Sequence, residues 1–363
     1  MPSRSGRVVA ITCALVIALS ACGTAKSNEG QSSTKPKVGV ILPDTTSSVR
    51  WERFDKPWLE KYLAGAGVEA RIENAQNDPS RFVRLGEEMI SQGVKVLLLG
   101  AVDAASASQV EKKANEAGVP AVNYDRLTVG GSADYYVSFD GEAVGSLQAE
   151  GLLKCLGGKP KARLIEVEGA KTDNNSTLFY NGQQKVLKPR YDAGELKLVA
   201  NQWIENWDNK LSGQQFERML TAAGDDVDGV VAANDGFAQE IIAVLKRRNV
   251  KVPVTGQDAT VEGLRAILAG DQCMTVYKSI REEAAAATGL VSALAKGGTG
   301  NADTVATQTI KDPQTGREIK SLLLTPVAIT KDNVRVVVED QAVRMSQLCT
   351  EDMAQLCRNA GLS

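Results

Sequence analysis

The sequence predicts an α/β protein with two lobes, each built around a parallel sheet. From residue 37 onward, short runs rich in Val, Ile and Leu alternate with amphipathic stretches of helical length. This alternation occurs in two consecutive series. The 363 residues exceed one ordinary domain and suffice for two hydrophobic cores. We therefore expect two Rossmann-like lobes joined by a multi-strand hinge.

The apolar runs place the strands and divide the chain into lobes. The first series is predicted at 37–42, 68–73, 94–99 and 120–123, and the second at 162–167, 196–203, 229–232 and 252–255. Candidate crossing strands between the lobes are 135–139, 274–277 and 322–327, and the polar stretch 297–320 is expected to be a surface loop. The predicted divisions are an N-terminal lobe of 37–140 plus 279–321, a C-terminal lobe of 141–278 plus 322–345, and a helical tail of 346–363 closed by a disulfide.

The first residues have the pattern of an export signal. Arg4 and Arg7 precede an apolar run at 8–19 that is too short to span a membrane comfortably. We therefore predict a signal peptide at 1–21.

The end of this run matches the bacterial lipobox in Leu19-Ser20-Ala21-Cys22. By that resemblance, Cys22 becomes the lipidated first residue, followed by a flexible polar tether at 22–36. The protein is then expected outside the cytoplasm, anchored to the cell membrane by lipid. The alternative is an ordinary signal peptide with a chance cysteine.

Four further cysteines would lie in an oxidising compartment. Cys349 and Cys357 are eight residues apart, about 12 Å on a continuous helix, so a disulfide between them requires a bend. Thr350 followed by two acids supplies one, as a helix N-cap. We predict Cys349–Cys357 and, by elimination, Cys155–Cys273; the alternative is four free, buried thiols.

Charge and composition argue against several functions. The chain has 42 Lys plus Arg against 44 Asp plus Glu, a net charge of −2, and no histidine. The balanced charge gives no electrostatic reason to expect a nucleic acid partner. The absence of histidine makes hydrolytic triads and metal catalysis less favoured, and no calcium loop is evident. We expect no metal, no cofactor and no enzymatic activity.

Polar side chains follow five of the predicted strands, where open parallel sheets bind their ligands. A single polar pair could be turn chemistry or a helix cap, but five together predict a binding site. The carboxylates and amides suit the hydroxyl groups of a sugar, the cations can donate to its oxygens, and tryptophans can cover its ring unless they pack in cores. The candidate ligand-binding residues are Arg50, Trp51, Asp125, Arg126, Asp173, Asn175, Trp207, Asn234, Asp258 and Lys278.

From about Lys37 to Asp340 the chain resembles the periplasmic sugar-binding proteins of ABC importers, which have the type I periplasmic-binding-protein fold. In that family the residues matching the ten candidates contact the sugar. The segments that carry the resemblance are Arg50-Trp51, Tyr124-Asp125-Arg126, 136–140, Asp173-Asn174-Asn175, 185–189, Gln202-Trp203, Ala233-Asn234-Asp235, 256–259 and 274–278.

The resemblance implies a monomer that closes on a monosaccharide, with D-xylose favoured, and delivers it to a membrane permease. Glucose, arabinose or ribose remain alternative ligands, and a sugar-sensing protein for a membrane receptor would have the same sequence features. A LacI-type regulator shares the fold but needs a DNA-binding segment where this chain has an export signal. A glycosidase using Asp125 and Asp258 is disfavoured, because Arg126 and amides beside these acids favour constant ionisation.

Overall fold

The computed structural model describes residues 35–45 and 48–362. The predicted signal peptide, the lipidation of Cys22 and most of the tether lie outside the described residues. Within the described part, no helix is long and apolar enough to cross a membrane.

The strands carry most of the apolar runs that the sequence analysis identified. They are β1 (Lys37–Leu42), β2 (Glu69–Asn74), β3 (Val96–Leu99), β4 (Ala121–Tyr124), β5 (Tyr135–Phe139), β6 (Ala162–Glu168), β7 (Leu196–Trp203), β8 (Gly229–Ala232), β9 (Thr275–Tyr277), β10 (Gln308–Lys311), β11 (Glu318–Leu324) and β12 (Val327–Ile329).

The helices alternate with these strands, as expected for βα units. They are α1 (Lys56–Gly65), α2 (Pro79–Ser91), α3 (Ala104–Glu116), α4 (Gly141–Leu156), α5 (Asn174–Asp192), α6 (Asn209–Ala222), α7 (Asp235–Arg247), α8 (Val261–Ala269), α9 (Ile280–Gly297), α10 (Thr299–Asp303), α11 (Arg335–Glu339), α12 (Met345–Leu348) and α13 (Ala354–Asn359). Single-turn segments lie at Trp51–Asp55, Glu205–Trp207 and Glu351–Met353.

Polar residues at the strand ends begin many of these helices. The side chains of Asp173 and Asn234 accept hydrogen bonds from first-turn backbone N–H groups of α5 and α7. Asp140 and Ser279 do the same for α4 and α9. Because these caps satisfy otherwise unpaired N–H groups, they fix where each helix starts at the end of its strand.

The strands form two main sheets and a small third one. A seven-stranded sheet has the order β10-β11-β5-β4-β3-β1-β2, and a three-stranded sheet has the order β7-β6-β8. All neighbouring strands in both are parallel except β10 and β11. The third sheet pairs β9 with β12, antiparallel.

The chain passes between the two lobes three times. After β5 it enters α4, which packs against α5 and β8 of the second sheet. After β9 it enters α9, which packs against α1 and the first sheet, and after β11 it continues directly into β12. The two α/β lobes and the multi-strand hinge between them are therefore present. The lobe boundaries stay predictions; β11 runs to Leu324, beyond the boundary at 321.

Three predictions about individual segments are wrong. Residues 252–255 form only an isolated bridge between Val254 and Val230. The segment 135–139 is an internal strand of the first sheet rather than a crossing strand. The candidate crossing strand 322–327 divides between β11 and β12, and the chain does cross between the lobes there. The stretch 297–320 contains α10, β10 and the start of β11, and the β10–β11 pair extends the first sheet alongside β5.

The four described cysteines lie in two close pairs. Cys155 at the end of α4 and Cys273, just before β9, have Cα atoms 6.4 Å apart at disulfide distance. Cys349 and Cys357 have Cα atoms 5.9 Å apart, and the bend between them begins at Thr350. The tail therefore consists of short helices that pack, through Leu348 and Cys357 among others, on the apolar face of α8.

Candidate ligand-binding site

The ten candidate residues all line one cavity between the two main sheets. The space between its walls is about 380 Å³, including the part open to solvent, and small-molecule sites usually span roughly 300–1,000 Å³. Ser48, Phe179 and Gln257 also line it. The arrangement follows from topology, because the carboxyl ends of parallel strands in both sheets point into the same space.

Asp125 is the centre of the charges in this cavity. Its carboxylate accepts hydrogen bonds from Arg50 Nη1 at 2.7 Å, Lys278 Nζ at 3.1 Å and Asn175 Nδ2 at 3.0 Å. Burial alone would raise the pKa of Asp125, but the positive charges of Arg50, Lys278 and Arg126 outweigh it and hold this pKa well below the usual range. Asp125 is therefore ionised at every physiological pH.

Arg50 is held by three carboxylates. It donates to Asp55 from Nε at 2.9 Å and Nη2 at 2.8 Å, and to Glu283 from Nη2 at 2.7 Å, in addition to Asp125. Tyr124 also donates to Asp55 at 2.6 Å. Since a guanidinium has five N–H groups, these four bonds leave one for a ligand. Arg50 therefore orients Asp125 at least as much as it offers a donor.

The two candidate tryptophans have different surroundings. The Trp51 ring lies 4.5 Å from the guanidinium carbon of Arg50 and 5.3 Å from that of Arg126. Its buried indole Nε1 makes no hydrogen bond within the described part of the chain. Because cations already contact this ring, its N–H is a more direct point of contact for a ligand than its faces.

Trp207 packs closely against the end of β6. Its indole Nε1 donates to Asp173 at 3.1 Å, and its ring lies 5.6 Å from that of Phe237. A Cβ atom added at Gly169 would lie 2.2 Å from the Trp207 ring. Glycine at 169 is therefore required for the ring to approach the backbone this closely.

An ion pair also crosses the cavity. Arg126, which follows β4, lies with Nε 3.2 Å from Asp173 Oδ2 at the start of α5. Arg126 also forms an ion pair with Asp44, which follows β1, with 3.7 Å between Arg126 Nη2 and Asp44 Oδ2. The two main sheets are thus linked by Arg126 with Asp173 and by Asn175 with Asp125.

Asp258 lines the same cavity next to Gln257, whose amide donates to it. Burial raises the pKa of Asp258, and the charges of Lys278 and Arg50 oppose that rise. Asn234 uses its Oδ1 to accept from Phe237 N at 2.9 Å, which leaves its amide N–H groups for a ligand.

Three candidate residues have left-handed backbone conformations. The φ angles are 61° at Asp125, 53° at Trp207 and 101° at Asp258. Such conformations are costly for residues other than glycine, by about 1–3 kcal/mol each, and they cluster at functional sites. The fold therefore bears strain at the positions that aim two carboxylates and a ring into the cavity.

Sequence reasoning missed three further residues of the cavity wall and two residues that hold Arg50 in place. Ser48, Phe179 and Gln257 line the cavity, and Asp55 and Glu283 bind Arg50 from behind it. Asp55 lies five residues after Arg50 and could have been found from that spacing. Glu283 could not, because 233 residues separate it from its partner.

Among the described residues, no group of three or more Cys, Asp or Glu side chains is arranged to hold a metal ion. The cavity acids are instead bound to arginine, lysine and amide donors. The chemistry that this arrangement supports is hydrogen bonding to a small polar ligand.

Comparison with known proteins gives the family. The sequence profile of the periplasmic binding protein domain matches residues 38–299. The chain belongs to the periplasmic binding protein family. As a periplasmic binding protein it is a solute-binding protein rather than an enzyme, and the type I fold expected from the sequence is confirmed.

Two curated relatives of this periplasmic binding protein match along nearly their whole length. The D-xylose-binding periplasmic protein of Escherichia coli K12 is 33% identical over 325 residues, covering 89% of this chain and 95% of the relative. The multiple sugar-binding periplasmic receptor ChvE of Rhizobium radiobacter is 33% identical, with 86% and 92% covered. A solved carbohydrate transporter solute-binding protein from Chloroflexus aurantiacus, in complex with D-glucose, has a TM-score of 0.77 at 28% identity, with 86% and 98% covered.

Proposed function

We propose that this periplasmic binding protein captures a monosaccharide, D-xylose first, between its two lobes and delivers it to an ABC importer. The observation that carries the proposal is the cavity in which carboxylates, amides and cations from both lobes converge. The names of the two relatives, one for D-xylose and one for multiple sugars, support a sugar as the ligand.

The cavity offers both kinds of partner that sugar hydroxyls require. Asp125 and Asp258 accept hydrogen bonds, while Asn234, Lys278 and the remaining N–H of Arg50 donate them. Hydrogen bonds to charged groups contribute about 1.5–3 kcal/mol each. Phe179 adds an apolar side chain to the wall, which suits the C–H groups of a sugar ring.

Binding would be coupled to closure at the hinge. The contacts Asn175–Asp125 and Arg126–Asp173 join the two lobes, which supports closure around a ligand. A sugar that bonds to both lobes gains its full set of contacts only when they approach. Its differential affinity for the closed form then shifts the population toward closure.

Export and a lipid anchor complete the proposal. The relatives are named as periplasmic proteins, and the Leu19-Ser20-Ala21-Cys22 motif is the expected site of lipidation. In cells, Cys22→Ser should move the protein from the membrane fraction to the soluble exported fraction. Retention of the variant in the membrane would remove the lipid anchor from the proposal.

A thermal-shift panel of D-xylose, D-glucose, L-arabinose and D-ribose, followed by calorimetry, tests the ligand. Binding stabilises the folded state by RT ln(1 + [L]/Kd), about 2.7 kcal/mol at a ligand concentration of 100 Kd. We expect the largest rise in Tm with D-xylose. No rise with any monosaccharide would reject the sugar, and a larger rise with another would replace xylose.

A sensory role is the second candidate, because one relative is named as a receptor. In that case the sugar-loaded protein would bind a membrane receptor rather than a permease. Cross-linking of the loaded protein in cells, with identification of the membrane partner by mass spectrometry, separates the two roles.

A further inference from the structure

A second, larger groove lies beside the cavity. The two spaces share four wall residues: Ser48, Arg50, Asp258 and Lys278. Ser48 and Arg50 precede α1 in the first lobe, whereas Asp258 precedes α8 and Lys278 follows β9. The boundary between cavity and groove is therefore made of side chains from both sides of the cleft. Because the two spaces share these residues, a substituent that passes between them would lie in the groove.

The groove has walls that the cavity lacks. Val49 and Phe54 provide an apolar surface on the first lobe, and Val49 is 50% exposed. Residues 341–344, just before the C-terminal tail, and the tail residues Gln347 and Thr350 form part of the opposite wall. Arg265 fastens this tail to α8 through hydrogen bonds to Gln347 O and Thr350 Oγ1. The tail, which lies beyond the matched family profile, therefore shapes the groove.

The charge of the groove is strongly positive. Its acids are Asp258 and Glu262, and its cations are Arg50, Arg53, Arg265, Lys278, Arg281 and Arg344. Arg50 and Lys278 are paired with Asp125, and Arg281 with Asp340. Asp352 lies near Arg265. In the described residues, Arg53 and Arg344 are exposed and make no ion pair. Two cations on opposite sides of the groove thus remain available to an anion.

We propose that the groove binds an anionic group carried by the sugar, so that the ligands include glycosides bearing a carboxylate or a phosphate. The inference rests on the proposed sugar site. It extends that proposal from neutral monosaccharides to a second class of ligand, the anionic glycosides. The neutral ring occupies the cavity, and Arg53 and Arg344 attract the charged substituent in the groove.

Calorimetry on the full chain at low salt tests the inference with four probes. They are D-xylose, neutral xylobiose, 2-O-(glucuronosyl)-D-xylose and D-xylose 1-phosphate. We expect at least one anionic probe to bind about tenfold more tightly than xylobiose, and the advantage to fall with added salt. An advantage for the uronate alone assigns a carboxylate, and one for the phosphate alone assigns a phosphate.

The double variant Arg53→Gln/Arg344→Gln should lose this advantage and keep the D-xylose Kd within about twofold. Arg218→Gln, an exposed arginine on α6 away from the groove, is the matched control and should change nothing. An unchanged advantage in the double variant, or no advantage in the parent, would overturn the inference while D-xylose still binds. If no monosaccharide binds, the proposed sugar site itself fails and the inference fails with it.

Discussion

Asn175 at the start of α5 donates from Nδ2 to Asp125 Oδ1 at 3.0 Å and to the Asp125 backbone carbonyl at 3.2 Å. The two residues come from different lobes, and both are buried. This amide therefore links the lobes at the carboxylate on which Arg50 and Lys278 also converge. In the proposed mechanism, closure of the cleft would form this contact and bring the cavity walls together.

Asn175→Ala should weaken sugar binding about tenfold, because it removes an amide that both bonds Asp125 and faces the cavity. The unliganded variant should also be more expanded in small-angle scattering. Asn115→Ala removes an exposed amide bonded to Ser132 and is the control. Wild-type affinity and dimensions in Asn175→Ala would mean that this contact does not support closure.

Asp258→Ala should abolish sugar binding in calorimetry, since it removes a half-buried carboxylate of the cavity wall that is held in position by a left-handed backbone. Asp258→Asn keeps one oxygen acceptor and should lose roughly 10- to 150-fold. Asp192→Ala, at an exposed carboxylate of α5 paired with Lys188, is the control. If Asp258→Ala binds sugar as the parent does, the ligand lies elsewhere.

Asp235 should make stability depend on pH. Burial raises its pKa to about 7, against the hydrogen bonds from Gln272, Thr260 and Thr275. The folded chain then keeps a proton that the unfolded chain releases above about pH 4, so the free energy of unfolding falls as pH rises from about 4 to about 7.

The variant Asp235→Asn carries no titrating proton there, so its Tm should fall less than that of the parent between pH 5 and pH 7.5. Thermal unfolding of both across this range is the measurement. Asp271→Asn, whose carboxylate is paired with Lys246 at the surface, is the control. Parallel curves for Asp235→Asn and the parent would contradict the raised pKa.

The two cysteine pairs should differ in their effect on stability. Cys155–Cys273 closes a separation of 118 residues and Cys349–Cys357 one of 8. In the chain-entropy model, these loops correspond to about 5 and about 2.5 kcal/mol. Cys155→Ser/Cys273→Ser should therefore lower Tm more than Cys349→Ser/Cys357→Ser. Free thiols found by mass spectrometry under non-reducing conditions would show that the disulfides do not form.

Local patterns predicted much of the fold from the sequence. Alternating apolar runs identified β1 and β7 with their observed bounds, and polar strand ends such as Asp173 and Asn234 marked the start of α5 and α7. The pattern failed where tertiary context decides. Residues 252–255 are as apolar as a strand yet make one bridge, and β10 with β11 is a hairpin that completes the first sheet from far along the chain.

The site was predictable only in its inward-facing residues. The strand ends and the family resemblance pointed to ten residues that line one cavity. They did not indicate that three carboxylates bind Arg50, or that Arg50 and Arg126 contact the Trp51 ring. These relationships depend on contacts such as Arg50 with Glu283, which no local spacing records.

A crystal structure of the full chain grown with saturating D-xylose tests the central claim most directly. We expect the sugar between the two lobes, within hydrogen-bond distance of Asp125, Asn234 and Asp258, with the interlobe contacts closed around it. A sugar bound outside this cavity, or an empty cavity at saturating D-xylose, would contradict the account.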